Sequence, residues 1–378
     1  MKRREPPTIF VPLVTTSIRS RSVRIRNIPL LNGVICMALH LSGTTAVATR
    51  NKYEILGADV PEETLFKGDL LVASLSESPR SVNSIYYYDN AGSHLFERLC
   101  QEETYYLFRT EKDILAKHAT SIADITGPIS IVELGSGNAE KTTLLFDAYM
   151  KQHGRTFYAA IDINRLILES AAVNIFSVTT DLDFLGIVGT YQTGLAQVAN
   201  LIGPKLLVCL GSTMGNMHDD ELHDLLLSAQ SALSSGDYLL IGIDLDKETK
   251  ILEAAYNNQT AILTNLCVLQ HLNWRFNGDF QLFQFRHVAF HNKPLYRMES
   301  HLEATQEQII NLKNLDFSFR LHKGEMIRTE IMRKVELHAF HKLLDLYNFR
   351  PVQHWTDSGQ KYAVSLFQLG AEPTELES

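Results

Sequence analysis

The stretch IVELGSGNAE at residues 131 to 140 limits the possible folds more than any other part of the chain. An apolar run containing Glu133 leads into Gly135 and Gly137, which flank a serine, and Lys141 follows directly. Glycine has no Cβ and tolerates positive φ, so such a loop lets the backbone approach a ligand closely. The first N–H groups of a helix behind the loop are unpaired donors. The stretch therefore predicts a buried strand, a ligand-binding turn and a helix.

Strand and helix signals alternate through the middle of the chain, and this alternation sets the fold class. The predicted strands are 129–134, 157–162, 205–212 and 237–245, and the predicted helices are 110–125, 140–153, 165–175 and 219–234. Such βαβ alternation predicts a doubly wound α/β fold, in which helices cover both faces of a parallel sheet.

The pattern changes after Leu245. Aromatic residues and period-two alternation in FQLFQFRHVAFHN, LYRMESHLEAT and FSFRLHKGEMIRTE are typical of antiparallel strands, which predicts a second, β-rich domain. A helix near 334 to 347 and the hairpin-like HWTDSGQKYAVSLFQL follow.

Composition points to small-molecule chemistry in a reducing compartment. The 378 residues carry a formal net charge of -8, and an acidic body argues against a nucleic-acid groove. The cysteines are far apart and have neither metal-site spacing nor disulfide density, so we interpret them as core thiols of a cytoplasmic protein, which we expect to be a monomer. They are Cys36, Cys100, Cys209 and Cys267.

The first residues of the chain form a separate segment. An arginine-rich, acid-poor start precedes the apolar run IPLLNGVICMALHLSG, which is typical either of a targeting segment or of a disordered extension. Pro29, Asn32 and His40 interrupt this run, so it is not expected to span a membrane.

The loop itself favours one class of cofactor. Asp162 ends the next predicted strand, where a carboxylate is placed to accept ribose hydroxyls. The loop reads G-x-G-x-x-x and lacks the third glycine of dinucleotide binders, so S-adenosylmethionine is favoured over NAD. Glu133 and Lys141 could face its charged methionyl part, or they could be a charge pair on the surface.

Six motifs resemble, in order, those of the histidine-specific, S-adenosylmethionine-dependent methyltransferase family. They cover roughly residues 55 to 370 and read YYYDNAGSHLFERL, YYLFRTEKDIL, VELGSGNAEKT, LGSTMGN, LLIGIDL and GEMIRTE. The resemblance implies a Rossmann-like methyltransferase domain with an inserted domain that binds the amino acid, as in the family member that trimethylates histidine. We assign 55–108 and 246–333 to the substrate domain, 109–245 and 334–370 to the methyltransferase domain, 1–54 to the extension and 371–378 to a tail.

The resemblance also assigns roles to individual residues. Gly135, Gly137, Lys141 and Asp162 would hold the cofactor. Tyr88, Tyr105 and Tyr256 would hold the α-amino and carboxylate groups of the substrate, and Asn216 would lie beside the amine that is methylated. Taken alone, Asn216 could instead cap the helix that begins near Asp219.

The predicted chemistry suits these residue types. An amine attacks the sulfonium methyl only when it is neutral, so the site needs uncharged partners such as tyrosine and asparagine rather than a carboxylate. We expect Asn216, Tyr105 and Tyr256 to act mainly by aligning the reactants, without a metal. We interpret the pair of His287 and His291 as unsuited to zinc. Asp244 and Asp246 are interpreted as loop residues at a strand end.

The sequence departs from the family pattern in two places. GTYQ puts Thr190 and Tyr191 where the family has an acidic and an aromatic residue against adenine.

In the substrate motif, TEIM keeps Glu330 but puts Met332 where histidine-binding members have serine. Ser300 replaces a family methionine, and Thr264, next to Asn265, replaces an aromatic residue. We therefore predict α-N-methylation of a free aromatic or heteroaromatic amino acid, with histidine preferred. Tryptophan, tyrosine or a derived amino acid, a silent S-adenosylmethionine-binding homologue and a nucleotide-dependent oxidoreductase stay as alternatives.

Overall fold

The computed structural model describes residues 53–57, 65–179 and 181–370. The hypotheses about a targeting segment or disordered extension and about the tail at 371–378 therefore concern residues that lie almost wholly outside the described ones. Tyr53 and Glu54, which the sequence places in the extension, instead begin the first strand.

Within the described ranges, helices and strands largely alternate up to residue 244, and strands predominate after it. The strands are β1 (Tyr53–Leu56), β2 (Ser130–Leu134), β3 (Thr156–Asp162), β4 (Leu182–Val188), β5 (Lys205–Cys209), β6 (Tyr238–Asp244), β7 (Phe285–Asn292), β8 (Arg297–Ala304), β9 (Gln308–Leu312), β10 (Phe317–Leu321), β11 (Met326–Arg333), β12 (Phe349–Thr356) and β13 (Tyr362–Leu369). The helices are α1 (Gly68–Ser76), α2 (Asn90–Leu99), α3 (Tyr106–Thr126), α4 (Thr143–His153), α5 (Arg165–Val178), α6 (Tyr191–Val198), α7 (Asp219–Ala232), α8 (Thr249–Tyr256), α9 (Gln259–Phe276) and α10 (Leu337–Asp345).

The main sheet has eight strands in the order β1–β4–β3–β2–β5–β6–β13–β12. Strands β1 to β6 run parallel, and the hairpin of β12 and β13 adds two antiparallel strands beside β6. The central strands are mostly apolar because helices bury both of their faces. The predicted α/β, Rossmann-like sheet is confirmed.

The strand order reverses at β2. After β2 the chain forms β3 on one side of it, and it later forms β5 on the other side. In sheets of this kind, ligands bind in the crevice beyond the carboxyl ends of the strands at such a reversal. The glycine loop follows β2 directly, so the fold places it at this crevice.

The second part of the molecule combines helices with small antiparallel sheets. Strands β7, β8 and β11 form one sheet, and β9 pairs with β10 in another. The antiparallel strands expected after Leu245 are therefore present. Two helices, α8 and α9, come before them and were not predicted, because the aromatic alternation further along the chain is a stronger signal than their aliphatic spacing.

A third apolar core holds this second part together and lies between α1, α9 and the small sheets. Its buried members are distinct from those of the two clusters that cover the main sheet. Within the described ranges, no helix is both long enough and apolar enough to cross a membrane.

Candidate active site

A cavity of about 940 Å³ lies between the carboxyl ends of the main sheet and the second part of the molecule. Every residue that the sequence singled out for cofactor or substrate lines it. On the sheet side these are Glu133, Gly135, Gly137, Lys141, Asp162, Thr190 and Tyr191. On the other side they are Tyr88, Tyr105, Tyr256, Ser300, Glu330 and Met332, and Asn216, which follows β5, lies between the two sides. Their individual roles stay predictions.

The glycine loop has the backbone conformation that its sequence predicts. Gly135 has φ of 65° and Gly137 has φ of 51°, a region that other residues seldom adopt. A Cβ on Gly135 would lie 3.0 Å from the hydroxyl of Tyr191, so the close approach at this point also favours glycine.

Asp162 ties the loop to the end of β3. Its Oδ2 accepts from the Gly137 N–H at 3.2 Å, and its Oδ1 accepts from the Asn164 N–H at 2.9 Å. Burial raises the pKa of Asp162 against the lowering effect of these backbone donors. A carboxylate oxygen accepts more than one hydrogen bond, so ribose hydroxyls can still bind at Asp162.

Glu133 and Lys141 are not a charge pair on the surface, so that interpretation is wrong. Glu133 is 2% exposed and accepts from the Thr142 hydroxyl at 2.8 Å and from the Tyr158 hydroxyl at 2.5 Å. Burial raises the pKa of Glu133 to about 7. Lys141 instead forms an ion pair with Glu111.

Glu111 was missed by the sequence analysis. It lies fully buried on α3, and besides Lys141 it accepts from the Gly211 N–H at 2.9 Å and from the Tyr362 hydroxyl at 2.8 Å. A signal was present, because helical spacing puts Glu111 on the same face as Leu107 and Ile114, which are buried. An acid on an apolar helix face requires buried partners.

The altered GTYQ segment begins α6. The Thr190 hydroxyl caps this helix by accepting from the Thr193 N–H at 3.3 Å. Burial raises the pKa of Tyr191 well above its ordinary value, so its hydroxyl stays protonated beside the glycine loop.

Four aromatic rings form a continuous edge-to-face row along the cavity. The ring centroids are 6.3 Å apart from Tyr88 to Phe96, 6.3 Å from Phe96 to Tyr105, and 5.9 Å from Tyr105 to Tyr256. The three predicted tyrosines are thus brought together, and Phe96, which was not predicted, spaces them. Burial raises the pKa of each phenol, which keeps all three uncharged.

Asn216 joins the two sides of the cavity. It ends the 3-10 turn Thr213–Asn216 after β5, and its Nδ2 donates to Glu330 Oε1 on β11 at 3.1 Å. The interpretation of Asn216 as the cap of α7 is wrong, because His218 occupies that position. Asn216 also lies beside Tyr88. Burial and the charge of Glu330 raise the pKa of Tyr88, and a hydrogen bond with the Asn216 side chain lowers it.

The floor of the second side is built on paired strands. Glu330 and Ser300 are directly opposite each other in the register of β11 and β8, so their side chains lie on one face. Met332 is buried two residues further along β11. Burial raises the pKa of Glu330 to about 7, although the charge of Lys334 lowers it.

A buried polar network on α9 continues this floor. Asn265 accepts from the Tyr87 hydroxyl at 2.8 Å and from the Thr329 hydroxyl at 2.6 Å, and its amide lies 2.8 Å from His287 Nδ1. Thr264 turns its hydroxyl back to the carbonyl of Thr260 at 2.8 Å. The side chain at the position where the resemblance implies an aromatic residue is therefore small and satisfied within its own helix.

Asp244 was wrongly interpreted as a loop residue. It ends β6 fully buried, accepts from the Tyr106 hydroxyl at 2.7 Å, and forms ion pairs with Lys247 at 2.6 Å and Lys334 at 2.8 Å. Asp246 does lie in the loop after β6. The described ranges contain no group of three or more His, Cys, Asp or Glu that could hold a metal ion.

Comparison with known proteins agrees with this geometry. The family model described as histidine-specific methyltransferase, S-adenosylmethionine-dependent, matches residues 67–369. The chain is 31% identical to the histidine N-alpha-methyltransferase of Mycolicibacterium smegmatis over 82% of this chain and 97% of that protein. It is 29% identical to the histidine N-alpha-methyltransferase of Mycobacterium tuberculosis over 78% of this chain and 92% of that one.

A third relative is the 4-dimethylallyltryptophan N-methyltransferase of Aspergillus fumigatus, which is 27% identical over 71% of this chain and 80% of that protein. All three relatives are named as methyltransferases, and the oxidoreductase alternative finds no support among them. The family match extends from α1 through β13 and so includes both sides of the cavity. The chain therefore belongs to the family of S-adenosylmethionine-dependent, histidine-specific methyltransferases.

Proposed function

We propose that this protein transfers methyl groups from S-adenosylmethionine to the α-amine of free L-histidine. The observation that carries the proposal is the hydrogen bond of 3.1 Å from Asn216 to Glu330. In the proposed complex it joins the Asn216 amide, which lies beside the reacting amine, to the Glu330 carboxyl group, which faces the side chain of the substrate. Two relatives that match more than three quarters of this chain are named histidine N-alpha-methyltransferase.

The residues on the sheet side fit the cofactor. The loop of Gly135 and Gly137 leaves room for a ligand against the backbone, Asp162 offers carboxylate oxygens to a ribose, and Lys141 adds a positive charge for the methionyl carboxylate. When bound, S-adenosylmethionine supplies an electrophilic methyl group on a sulfonium. The chain's own task is then to present a neutral amine in line with that methyl.

Asn216 can do this with its amide oxygen. Its Nδ2 is bonded to Glu330, its Oδ1 has two lone pairs with which to accept an N–H of the amine, and the nitrogen lone pair stays available for attack. Tyr88 and Tyr105 are held as neutral phenols by burial, so they add no negative charge that would favour the ammonium form. Alignment of this kind can supply roughly 7–11 kcal/mol of a reaction barrier.

Glu330 and Ser300 provide the polar contacts for the imidazole. With its pKa raised to about 7, Glu330 titrates close to the ordinary value for an imidazole, so the two groups can share one proton across a hydrogen bond. Met332 gives the ring an apolar surface at the same level of β11.

A screen of single amino acids tests the proposal. Purified protein is incubated with S-adenosylmethionine and each of the common amino acids, and products are identified by mass spectrometry with fragmentation to locate the methyl groups. We expect histidine to be methylated on its α-nitrogen faster than tryptophan or tyrosine. Faster methylation of another amino acid would overturn the histidine assignment. Methyl groups on the imidazole would overturn the orientation.

Binding to the unreactive product complex gives a second test of the same proposal. Isothermal titration of histidine into protein saturated with S-adenosylhomocysteine should give saturable binding with one site per chain. If no free α-amino acid binds under these conditions, the proposed function is refuted.

A further inference from the structure

Three separate segments of the chain meet at the buried carboxyl group of Asp244. Tyr106 at the start of α3 donates its hydroxyl to both oxygens at 2.7 and 2.8 Å, and Lys247 in the loop after β6 forms an ion pair at 2.6 Å. Lys334, which follows β11, forms a second ion pair at 2.8 Å. These segments lie where the main sheet meets the second part of the molecule, and all of them contact the Asp244 carboxylate.

Lys334 also contacts the cavity wall from behind. Its Nζ donates to the hydroxyl oxygen of Tyr256 at 2.9 Å and lies 4.8 Å from the centre of the Tyr256 ring. Lys334 is fully buried, whereas Tyr256 lines the cavity. Lys334 therefore reaches the cavity through its hydrogen bond to Tyr256, and its charge also acts on Glu330.

The hydrogen bond from Lys334 fixes what Tyr256 can offer. An ammonium group only donates, so the Tyr256 oxygen must be the acceptor in this bond. The hydroxyl hydrogen is then free to point into the cavity as a donor. In a free amino acid the strong acceptor is the carboxylate, and a donor to the reacting amine would occupy the lone pair that attacks the methyl group.

The net charge around Asp244 has the sign that attracts a substrate carboxylate. Two lysines share the single carboxylate of Asp244, so the trio carries an excess positive charge below about pH 8, the value to which burial lowers the pKa of Lys247. Burial lowers the pKa of Lys334, but the attraction of Asp244 and Tyr256 outweighs it, and Lys334 keeps its charge. A substrate carboxylate on Tyr256 would offset this excess.

We propose that Lys334 is a positioning residue that makes the enzyme select α-amino acids over the corresponding amides and amines. It does so by holding the Tyr256 hydroxyl as a donor to the substrate carboxylate and by placing a positive charge behind that bond. The inference rests on the proposed function, since it assumes that the substrate is a free amino acid.

The test compares Lys334→Met with Lys247→Met as a matched control. Both variants remove one of the two buried lysines of Asp244 and leave the other in place, but only Lys334 reaches Tyr256. For each protein saturated with S-adenosylhomocysteine, Kd is measured for L-histidine and for L-histidinamide, which lacks the negative charge.

We expect Lys334→Met to weaken histidine binding about tenfold while histidinamide binding hardly changes, so that the discrimination between the two collapses. Lys247→Met should keep the discrimination of the wild-type protein. A folded Lys334→Met protein that keeps this discrimination would overturn the inference, and so would an equal loss for both ligands.

Tyr256→Phe provides a second route if Lys334→Met does not fold. It removes the hydroxyl that links Lys334 to the cavity and leaves the ion pair with Asp244 intact, so the discrimination should again collapse. Unchanged discrimination in Tyr256→Phe would overturn the inference. Failure of the wild-type protein to bind histidine would instead refute the proposed function, so the two failures are distinguishable.

Discussion

The two sides of the cavity are built in different ways. The sheet side is made mainly of backbone, in the loop of Gly135 and Gly137, whose positive φ angles only glycine adopts easily. The opposite side is made of side chains, such as Glu330 and Ser300 on paired strands whose backbone would be the same with other residues. A backbone site resists change because the fold depends on it, whereas a side-chain site can be altered one residue at a time.

The departures expected from the resemblance fall on side chains on both sides: Thr190 and Tyr191 on the sheet side at the start of α6, and the others on the opposite side. Met332, Ser300 and Thr264 all differ from the family residues, and all three lie on regular strands or on a helix without disturbing it. The glycine loop keeps its family motif. Variants on each side of the cavity and the pH dependence of two buried carboxyl groups test this difference.

The largest effect is expected from Asn216→Ala, because Asn216 connects the two sides. The variant loses the acceptor that orients the amine, and kcat should fall on the order of a hundredfold, since small misplacements of reactants are that costly. The Kd for S-adenosylhomocysteine should stay close to that of the wild-type protein. Steady-state kinetics and titration check both values, and an equal loss of turnover and cofactor affinity would contradict the position assigned to Asn216.

The next largest effect tests the sheet side alone. Gly135→Ala forces a Cβ into a positive-φ position 3.0 Å from the Tyr191 hydroxyl, so we expect cofactor affinity to fall by about tenfold or more. Gly154→Ala is the matched control, because Gly154 has φ of 74° with nothing near a new Cβ and ends α4 away from the cavity.

Both glycine variants should lose about 1 kcal/mol or more of unfolding free energy from backbone strain. Only Gly135→Ala should weaken binding of S-adenosylhomocysteine in a titration. Equal cofactor binding by the two variants would mean that the loop conformation does not serve the ligand.

Glu330 and Glu133 allow a comparison by pH, because burial raises the pKa of each to about 7 on opposite sides of the cavity. Ionised Glu330 accepts a hydrogen bond from an imidazole N–H, so histidine affinity measured against pH should show an inflection near pH 7. Glu330→Gln should weaken histidine binding about tenfold at pH 8, where the imidazole is neutral and Glu330 is ionised. Glu133→Gln should keep the wild-type affinity at pH 8, and an unchanged affinity in Glu330→Gln would contradict the assignment.

The same two groups affect stability with a defined sign. Each folded-state pKa is raised above the ordinary value of 4.5, so the protonated carboxyl favours the folded state below about pH 4.5, and this stabilisation is lost as the pH rises through about 7. Thermal unfolding of the ligand-free protein should therefore show that either glutamine variant gains stability relative to the wild-type protein between pH 5 and pH 8.

The smallest effect is expected from Met332→Ser, which restores the family serine. A hydroxyl next to Glu330 should improve histidine affinity a few-fold and should weaken binding of larger aromatic amino acids, since one added hydrogen bond contributes a net of roughly 0.5–1.5 kcal/mol. Met332→Ala is the control, because it removes the same side chain without adding a hydroxyl. Equal histidine affinity in both variants would show that the serine position does not contact the imidazole.

The backbone features of the site were the most predictable from sequence. The glycine loop, Asp162 at the end of β3 and the parallel strands follow from local rules, because glycine, strand ends and apolar runs act over a few residues. The motifs also identified the tyrosines and Asn216, but the resemblance to the family was needed to join residues so far apart in the chain.

The partners of buried charges could not be predicted in the same way. Glu111 with Lys141, and Asp244 with Lys247 and Lys334, are paired by the tertiary fold. Residues that are distant in sequence approach each other only when the sheet and the second part of the molecule assemble. The domain boundaries, the monomeric state and the role of each site residue stay predictions.

The most direct test of the central claim is a crystal structure of the complex with S-adenosylhomocysteine and L-histidine. We expect the sulfur above the loop of Gly135 and Gly137, the α-nitrogen next to Asn216 and in line with the sulfur, the carboxylate on Tyr256, and the imidazole between Glu330 and Ser300. Density that places an imidazole nitrogen toward the sulfur, or the amino acid outside the cavity, would contradict the account.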